Sequence, residues 1–376
     1  MLSKNALSSP TLYEVALSLA TGVGGMTARN LLSYCGSAEA VFHTPSSKLL
    51  SIPLVGQKIV ASLRQKDLLE RAAQEIEKST KLDIQLLSIT HPSYPKRLKE
   101  IIDAPILLYY KGSADLNMDK IVSIVGTRKA THYGKAFITQ FFEEMIFNNI
   151  LVVSGLAYGI DVMAHKAALQ HQLPTVGVMA NGLDLVYPSQ HQTEVEKMLV
   201  QQGGILSESP LGPKPEAPRF PARNRIIAGI ADAIIVVEAM QKGGAIITAH
   251  LGNDYHRDVF AVPGDIKSAT SQGCNQLIKT HKAHLIESVK DLAYIMNWEF
   301  TSATNTIQSK TTSVHTLPTE AQKIVRILQK QGTLHIDALS LQVDLSASQL
   351  QAHLLQLEMD QWVVGLPGKT YKLFNT

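Results

Sequence analysis

Short runs of β-branched and other apolar residues alternate with amphipathic stretches between residues 81 and 300. The runs are IVSIV (121–125), ILVVS (150–154), TVGVMA (175–180), GILSE (204–208), AIIVVE (233–238), DVFAVPG (258–264) and AHLI (283–286). Stretches such as GKAFITQFFEEMIFNN and DVMAHKAALQH between them have the apolar spacing of helices. Continuous apolar strands separated by helices predict a doubly wound α/β fold, with a parallel sheet covered on both faces. The ligand cleft of such a fold lies at the carboxyl ends of the strands.

Residues 1–80 form a separate, helical region by pattern. It contains two glycine turns, TGVGGMTARNLL and IPLVGQKIVASL, each followed by an apolar helix. Helix–hairpin–helix modules have such turns, and their amides can hold a DNA phosphate. A small helical domain that packs on a neighbour explains the same pattern equally well. Both interpretations stay open from the sequence.

The chain after residue 300 changes character again. Residues 301–317 include nine Ser or Thr in seventeen positions and have no apolar period, which predicts a linker. Residues 318–376 predict three helices and a hairpin, the winged-helix pattern. Thr319 with Gln322, and Ser346 with Gln349, have capping-box spacing. The third helix, QLQAHLLQLE, lacks Arg and Lys, so we expect protein contacts here in preference to DNA reading.

Composition narrows the class of protein. With 376 residues, 45% hydrophobic and 18% charged, the chain predicts a folded protein of two or three domains. No run is long enough for a membrane helix, and the first residues do not resemble a signal peptide. The two cysteines show no ligand spacing, which favours a reducing cytoplasm and no metal site. We expect no cofactor and no membrane partner. A net charge of +3 does not by itself indicate nucleic-acid binding.

The stretch IVGTRKATHYGKAF, residues 124–137, resembles a strand, a phosphate-binding loop and a helix. It is not a P-loop, because too many residues separate Gly126 from Gly134 and no Ser or Thr follows Lys135. It also lacks the closely spaced glycines of a dinucleotide site. A guanidinium directly after a strand suits a phosphodiester. The predicted anion-binding residues here are Gly126, Thr127, Arg128 and Lys129.

Two more strand ends carry small or polar residues that let backbone amides approach an anion. Ser154 is the last residue of ILVVS and Gly155 follows it, and Gly243 and Gly244 come after AIIVVE. We include all four positions in the predicted site. Ser154 can equally be structural. Asp161 is predicted to cap the helix DVMAHKAAL.

A second basic segment, PLGPKPEAPRFPARNRIIAG, precedes AIIVVE. Its predicted contact residues are Arg219, Phe220, Arg223 and Asn224. Arginines interleaved with an aromatic ring suit single-stranded DNA, since guanidinium groups contact phosphates while rings stack on bases. Phe220 could instead be a hydrophobic staple before its helix. Tyr133 and Tyr158, at the same edge, could also stack.

Acidic and nucleophilic groups do not form a catalytic pattern. Four acids are predicted near the cleft, on separate loops: Asp184, Glu208, Glu238 and Asp265. No G-x-S-x-G or H-E-x-x-H motif occurs. His165 is expected to be packed. We therefore predict a binding protein and no enzyme.

Seven segments together resemble the DNA-processing protein family DprA, also called Smf. They are VGTRKATHYGKAF, VVSGLAYGIDVMAHKAAL, GLDLVYPSQHQ, LSESPLG, FPARNRIIAGIADAIIVVEA, GGAIITAHLGNDYHRDVFAVPGD and SQGCNQLI. The resemblance covers about 85–300 and implies an extended Rossmann-like sheet flanked by a small helical N-terminal domain and a C-terminal winged helix. It also implies a homodimer that binds single-stranded DNA and loads RecA recombinase onto it in natural transformation. The family's phosphate-binding positions match Gly126, Thr127, Arg128, Ser154, Gly155, Phe220, Arg223 and Asn224.

This chain departs from the family pattern at several positions. Tyr158 and Gln272 stand where the family usually has arginine, and Gly243 and Ala245 replace two serines. The departures leave the path of the DNA open.

The rival hypothesis is a nucleotide enzyme related to Rossmann-like phosphoribohydrolases, because KGGAIITAH (242–250) resembles their PGGxGTxxE motif. Its proline is absent, and His250 stands where an acid is required. A third hypothesis, a transcription factor acting through residues 318–376, is weakened by the missing basic residues of the third helix.

Overall fold

The computed structural model describes residues 12–145, 147, 149–213, 215–299, 318–343, 345–359, 362–366 and 368–373. These residues form two compact units, 12–299 and 318–373. The predicted linker, residues 301–317, lies outside the described residues. Within the described parts of the chain, no helix combines the length and apolarity needed to cross a bilayer.

Among the described residues, six helices precede the sheet, in the region where the apolar pattern predicts helices. They are α1 (Leu12–Leu19), α2 (Gly25–Cys35), α3 (Ala38–His43), α4 (Ser46–Leu49), α5 (Gln57–Leu63) and α6 (Leu68–Lys81). Their buried residues, Leu17, Leu31 and Leu68 among them, join one core with Leu86 and Leu107 of the sheet. The helical region therefore packs directly on one face of the α/β domain.

The first glycine turn serves this packing. A Cβ on Gly25, at the start of α2, would lie 2.3 Å from the carbonyl oxygen of Ala104, so backbone closely approaches backbone there. One turn later, Arg29 donates hydrogen bonds to the carbonyl oxygens of Lys99 and Ile101. The start of α2 thus contacts protein, which favours the packing interpretation of this turn over phosphate binding.

The rest of the first unit alternates strands and helices. The strands are β1 (Gln85–Ser88), β2 (Leu107–Gly112), β3 (Lys120–Val125), β4 (Ile150–Ser154), β5 (Thr175–Met179), β6 (Gly204–Ser207), β7 (Ala233–Val236), β8 (Asp258–Ala261) and β9 (His284–Leu285). The helices are α7 (Lys96–Glu100), α8 (His132–Glu144), α9 (Ile160–Gln170), α10 (Gln192–Val200), α11 (Arg219–Ile230), α12 (Gly244–Asp254), α13 (Gln272–Lys279) and α14 (Val289–Met296). All seven predicted strands are present.

The nine strands form one sheet in the order β1-β2-β6-β5-β4-β3-β7-β8-β9. Strands β3 to β9 pair in parallel, and the chain crosses through α11 to place β7 on the other side of β3. This confirms the extended Rossmann-like, doubly wound prediction. The crevice of such a sheet lies where the order reverses, here beyond the carboxyl ends of β3 and β7.

Strands β1 and β2 were missed in the sequence prediction, and they are antiparallel. β2 pairs with β6 in antiparallel register, and β1 pairs with β2 in the same way. Because β2 runs against its neighbours, one edge of the predicted parallel sheet is mixed.

Residues 318–373 form the predicted winged helix. Its elements are α15 (Thr319–Gln331), β10 (Leu334–His335), α16 (Ile336–Ser340), α17 (Ala347–Met359), β11 (Val363–Leu366) and β12 (Thr370–Leu373). Ser346 and Gln349 make the predicted capping box, since each donates its backbone N–H to the other's side chain. The prediction for Thr319 was wrong, because Thr319 is the first residue of α15 and Pro318 precedes it.

His165 is packed, as predicted, and gives stability a pH dependence. Thr175 donates its hydroxyl to the Val152 carbonyl and accepts a hydrogen bond from His165 Nδ1, 2.7 Å away. The Nε2 atom is buried with no partner among the described residues. Burial is the main cause that lowers the pKa of His165 to about 3.

The unfolded chain therefore binds a proton at His165 between pH 6.5 and 3 that the folded chain excludes. Proton binding at His165 therefore does not oppose folding above pH 6.5, and it destabilises the folded state increasingly as the pH falls below 6.5. We expect it to lower the free energy of unfolding by about 2 kcal/mol between pH 6.5 and 5. Urea unfolding at both pH values tests this. The loss should shrink in His165→Gln and persist in the exposed-site control His256→Gln; an unchanged loss in His165→Gln contradicts it.

Candidate nucleic-acid interface

A cavity of about 730 Å³ opens at the carboxyl ends of β3, β4 and β7, where the strand order reverses. The loop after β3, the loop after β4, the start of α11 and the start of α12 all line it. Nine of the twelve predicted site residues line this cavity: Gly126, Thr127, Arg128, Gly155, Phe220, Arg223, Asn224, Gly243 and Gly244. Positions up to 118 residues apart in sequence therefore share one site.

The loops after β3 and β4 are held together by close backbone packing. Ile160 donates its N–H to the Thr127 carbonyl, and Thr127 donates its own to the carbonyl of Glu238. Gly159 has φ +76°, and a Cβ there would lie 2.2 Å from the Thr127 oxygen. A side chain at Gly126 would likewise collide with Ile160. These glycines are needed because the two loops meet with no room for a side chain.

Arg128 is the exposed cation of the loop after β3. Its guanidinium carbon lies 5.9 Å from the centroid of the Phe220 ring. It makes no hydrogen bond or ion pair with the described residues. A cation held against an aromatic face keeps its N–H donors available for an incoming anion.

Phe220, Tyr187 and Tyr158 form an aromatic wall of the cavity, and this packing accounts for Phe220 without a hydrophobic staple. Its ring centroid lies 5.8 Å from that of Tyr187, which is about half exposed in the cavity. Tyr158 also lines the cavity, packs edge-on against His191 and donates its hydroxyl to Gln190 Oε1 at 2.8 Å. Tyr133 does not line it, and its hydroxyl donates to the Pro263 carbonyl. Tyr158 and Tyr187 thus join Phe220 around the same space.

Helix α12 begins at the cavity with bare backbone. Gly243 precedes its first residue, and no side chain caps this end. A Cβ built on Gly243 would meet nothing within 4 Å, so the space before the helix is open. The first N–H groups of a helix carry partial positive charge and suit an anion. Lys242, just before them, is exposed, lines the cavity and makes no hydrogen bond or ion pair with the described residues.

Arg223 has a different environment from the one expected of a phosphate ligand. Its side chain is buried and donates hydrogen bonds to the carbonyl oxygens of Gly155 and Val178 and to Asn224 Oδ1. Burial lowers the pKa of Arg223 to about 10, against the opposing effect of Asp161. Arg223 therefore forms the floor of the cavity, where most of its donors are already used.

Asp161 does not cap its own helix, and that prediction was wrong. Its carboxylate accepts hydrogen bonds from the backbone N–H groups of Ala157 and Gly126. Burial raises the pKa of Asp161, while the nearby Arg223 guanidinium and these two N–H groups act in the opposite direction. Asp161 therefore ties the loops after β3 and β4 to the buried arginine.

The remaining predicted site residues do not line the cavity. Ser154 is buried and donates its hydroxyl to the Ile124 carbonyl. Arg219 pairs with Glu216 at 3.3 Å. Lys129 is exposed beside the loop. Gln272, at the start of α13, is also exposed away from the cavity lining.

The four acids predicted near the cleft make structural contacts. The buried Glu238 carboxylate accepts hydrogen bonds from Thr131 N–H and Oγ1. Glu208 pairs with Arg225 at 2.5 Å, and Asp184 accepts from Gly212 N–H. Asp265 accepts from Lys267 N–H. None of these four carboxylates lines the cavity.

Tyr187 and Lys242 were missed in the sequence prediction. Lys242 had a usable signal, since a lysine before two glycines after a strand is typical of phosphate-binding loops. Tyr187 lies in a long segment after β5, and its position depends on packing against Phe220. That contact joins segments separated by 33 residues and has no local sequence signal.

The structure defines an extended Rossmann-like α/β protein with a cleft where the strand order reverses, and a separate winged helix. Comparison with known proteins gives the family. Residues 85–297 match the family described as DNA recombination-mediator protein A, and residues 308–369 match the DprA winged helix domain. The chain belongs to this DprA (Smf) family of DNA-processing recombination mediators.

Individual relatives support this family assignment. Protein Smf of Synechocystis sp. is 30% identical over 396 residues, which cover 97% of this chain and 99% of the relative. The crystal structure of DNA processing protein A from Streptococcus pneumoniae has a TM-score of 0.64 at 33% identity and covers 78% of this chain and 100% of its own. The DprA structure from Helicobacter pylori, which concerns that protein's single-stranded DNA binding mode, has a TM-score of 0.52 at 27% identity, covering 57% of this chain and 97% of its own.

Proposed function

We propose that this protein binds single-stranded DNA in the cavity at the ends of β3, β4 and β7, and mediates recombination there. The observation that carries the proposal is the position of Arg128, an exposed cation without an ion-pair partner among the described residues, held against the ring of Phe220. Phosphates and bases alternate along a strand, so a cation beside an aromatic wall matches one nucleotide unit. The binding described for the Helicobacter pylori relative supports the same ligand.

Phosphate contacts in this proposal come from two cations and one helix. Arg128 and Lys242 donate from their side chains, and the first N–H groups of α12 donate from Gly244 onward. Gly126, Thr127 and Gly155 line the same space and shape it, since the N–H groups of Gly126 and Thr127 already donate within the protein. Arg223 and Asn224 contribute indirectly, because they donate hydrogen bonds to the carbonyl oxygens of Gly155 and Gly244 and so position these two loops. Lys129 and Arg219 remain candidates for phosphates farther along the strand.

A titration with fluorescent oligonucleotides tests the ligand class. We expect a single-stranded 30-mer to bind more tightly than the corresponding duplex, and the logarithm of the affinity to fall steeply with salt. Each neutralised phosphate contributes a slope of about 0.7 on single strands. Equal affinity for both forms, or a slope near zero, would contradict single-strand binding at this site.

Phe220→Ala tests the stacking part of the proposal. We expect it to weaken binding by about 1–3 kcal/mol for each base that stacks on the ring. The measurement compares the variant with wild type on an ordinary oligonucleotide and on one with abasic positions. Tyr294→Ala, at an exposed aromatic residue outside the cavity lining, serves as the control. The same loss on abasic DNA would show that Phe220 acts by some means other than stacking.

The cavity is proposed to bind and not to catalyse. Support comes from the acids: the four carboxylates predicted near the cleft hold backbone or arginine groups, and Asp161 lies beside Arg223. On α12, His250 takes the place of the acid that the phosphoribohydrolase motif requires. Incubation with nucleoside monophosphates checks this, and release of free base would favour the enzyme.

RecA loading, a homodimer and a cytoplasmic location are proposed from family membership. The dimer has one further supporting feature, since Leu285 lies on the short edge strand β9 and is 45% exposed. Sedimentation should give twice the 41.1 kDa chain mass if the dimer forms. A strand-exchange reaction with RecA on protein-coated single strands tests loading, and no stimulation over RecA alone would contradict it.

A further inference from the structure

The segment between β6 and α11 forms one wall of the cavity. Pro215 and Ala217 line the space, and Phe220 follows in the first turn of α11. This wall contains several prolines, and its described residues, 208–213 and 215–218, form no helix or strand. Its position therefore depends on how its first residues, Leu211 and Gly212, are fixed.

Leu211 is fixed by the N-terminal helical region. Its side chain is buried in the core that α1 to α6 share with the sheet. Its backbone N–H donates to Glu75 Oε1 on α6 at 2.7 Å. Glu75 is itself buried, with only 6% of its surface exposed, and lies beside the buried hydroxyl of Tyr109. A carboxylate from the helical region thus reaches into the α/β domain to hold the start of the cavity wall.

Gly212 is fixed from the opposite side. It has φ +100°, a left-handed conformation that favours glycine, and donates its N–H to Asp184 Oδ2 at 3.0 Å. Asp184 precedes Tyr187, whose ring packs against Phe220. Two adjacent backbone N–H groups are therefore held by carboxylates from two different segments, directly before the wall that carries Phe220.

We propose that Glu75 is a positioning residue for DNA binding: it anchors Leu211, and through it sets the place of Phe220 in the aromatic wall. The inference rests on the proposed function, since it concerns the same cavity. It gives the N-terminal helices a part in ligand binding although none of their residues lines the cavity. Asp184 holds the same wall from the segment that carries Tyr187.

The test uses the full chain and separates the hydrogen bond from general packing. Glu75→Leu removes the acceptor, whereas Glu75→Gln keeps a carbonyl oxygen at the Oε1 position. We expect Glu75→Leu to bind a single-stranded oligonucleotide about fivefold to tenfold more weakly than wild type. Glu75→Gln should restore nearly all of the affinity. Glu77→Leu, which removes an exposed acid of the same helix, should bind like wild type.

A double-mutant cycle shows whether Glu75 acts through the aromatic wall. In a Phe220→Ala background, and on abasic DNA, the effect of Glu75→Leu should disappear. Asp184→Ala, at an exposed residue, provides a second variant should Glu75→Leu not fold, and the same loss and the same cycle are expected. Wild-type affinity in Glu75→Leu or Asp184→Ala, or a loss that is additive with Phe220→Ala, would overturn the inference. Failure of the wild-type chain to bind single strands would instead overturn the proposed function, and the inference with it.

Discussion

Arg223→Met is expected to lower the free energy of unfolding by about 3–5 kcal/mol, because it removes the guanidinium that lies near a buried carboxylate. Arg223 is 7% exposed, and the Asp161 carboxylate beside it is equally buried. The substitution also removes the donors that satisfy the carbonyl oxygens of Gly155 and Val178. Guanidinium unfolding followed by circular dichroism measures the loss.

A double variant distinguishes the effect of the unpaired Asp161 charge on stability from the effect of the lost Arg223 packing. Asp161→Leu combined with Arg223→Met removes both charges, and we expect the double variant to be more stable than Arg223→Met alone. Arg219→Met is the control, since its pairing with Glu216 lies at the surface and contributes about 0–1 kcal/mol. A loss in Arg223→Met no larger than in Arg219→Met would contradict the structural role assigned to Arg223.

Arg128→Ala is expected to weaken binding of single-stranded DNA by about 10- to 100-fold at low salt, whatever the base sequence. Arg128 is exposed and makes no hydrogen bond or ion pair with the described residues, so its donors are available to a ligand. Losing one phosphate contact should flatten the salt slope by about 0.7. We expect little change in the stability of the folded state, because among the described residues the side chain makes only the contact with the Phe220 ring and no hydrogen bond or ion pair.

Affinity at three salt concentrations measures both effects of Arg128→Ala. Arg71→Ala, at an arginine of α6 that pairs with Asp67, is the matched control and should change neither affinity nor slope. Unchanged binding in Arg128→Ala would remove the main residue of the proposal. A loss confined to some base sequences would indicate base reading instead of phosphate contact.

The place of the site followed from the sequence because parallel strands end at one edge. Once IVSIV, ILVVS and AIIVVE are assigned as strands of one sheet, Gly126, Gly155 and Gly243 must lie near each other. The crossover through α11 then brings Phe220 to the same edge. This part of the prediction needed only the apolar pattern and the topology of a doubly wound sheet.

The roles of individual side chains could not be predicted in this way. Arg223 and Arg128 both lie in basic segments at predicted strand or helix ends, yet Arg223 is buried and Arg128 is exposed. The difference arises because Arg223 lies on the inner face of α11, where Asp161 and the Gly155 carbonyl lie within reach. Burial of a charge depends on partners distant in sequence, and periodicity does not reveal them.

Strand β2 has a visible strand signal in the sequence. The run ILLYY, residues 106–110, follows Pro105 and is as apolar as the predicted strands. It pairs with both of its sheet neighbours in antiparallel register, which the pattern of a purely parallel sheet does not predict. Likewise, the contact of Gly25 with the Ala104 carbonyl joins regions 79 residues apart and gives the glycine turn a packing role.

The proposed function requires single-stranded DNA to lie in the cavity at the ends of β3, β4 and β7. Hydrogen exchange of the full chain, with and without a saturating single-stranded oligonucleotide, tests this most directly. We expect slower exchange in residues 126–129, 155–161, 217–224 and 242–248 when the oligonucleotide is bound. Protection confined to residues 318–373, with unchanged exchange around the cavity, would contradict it.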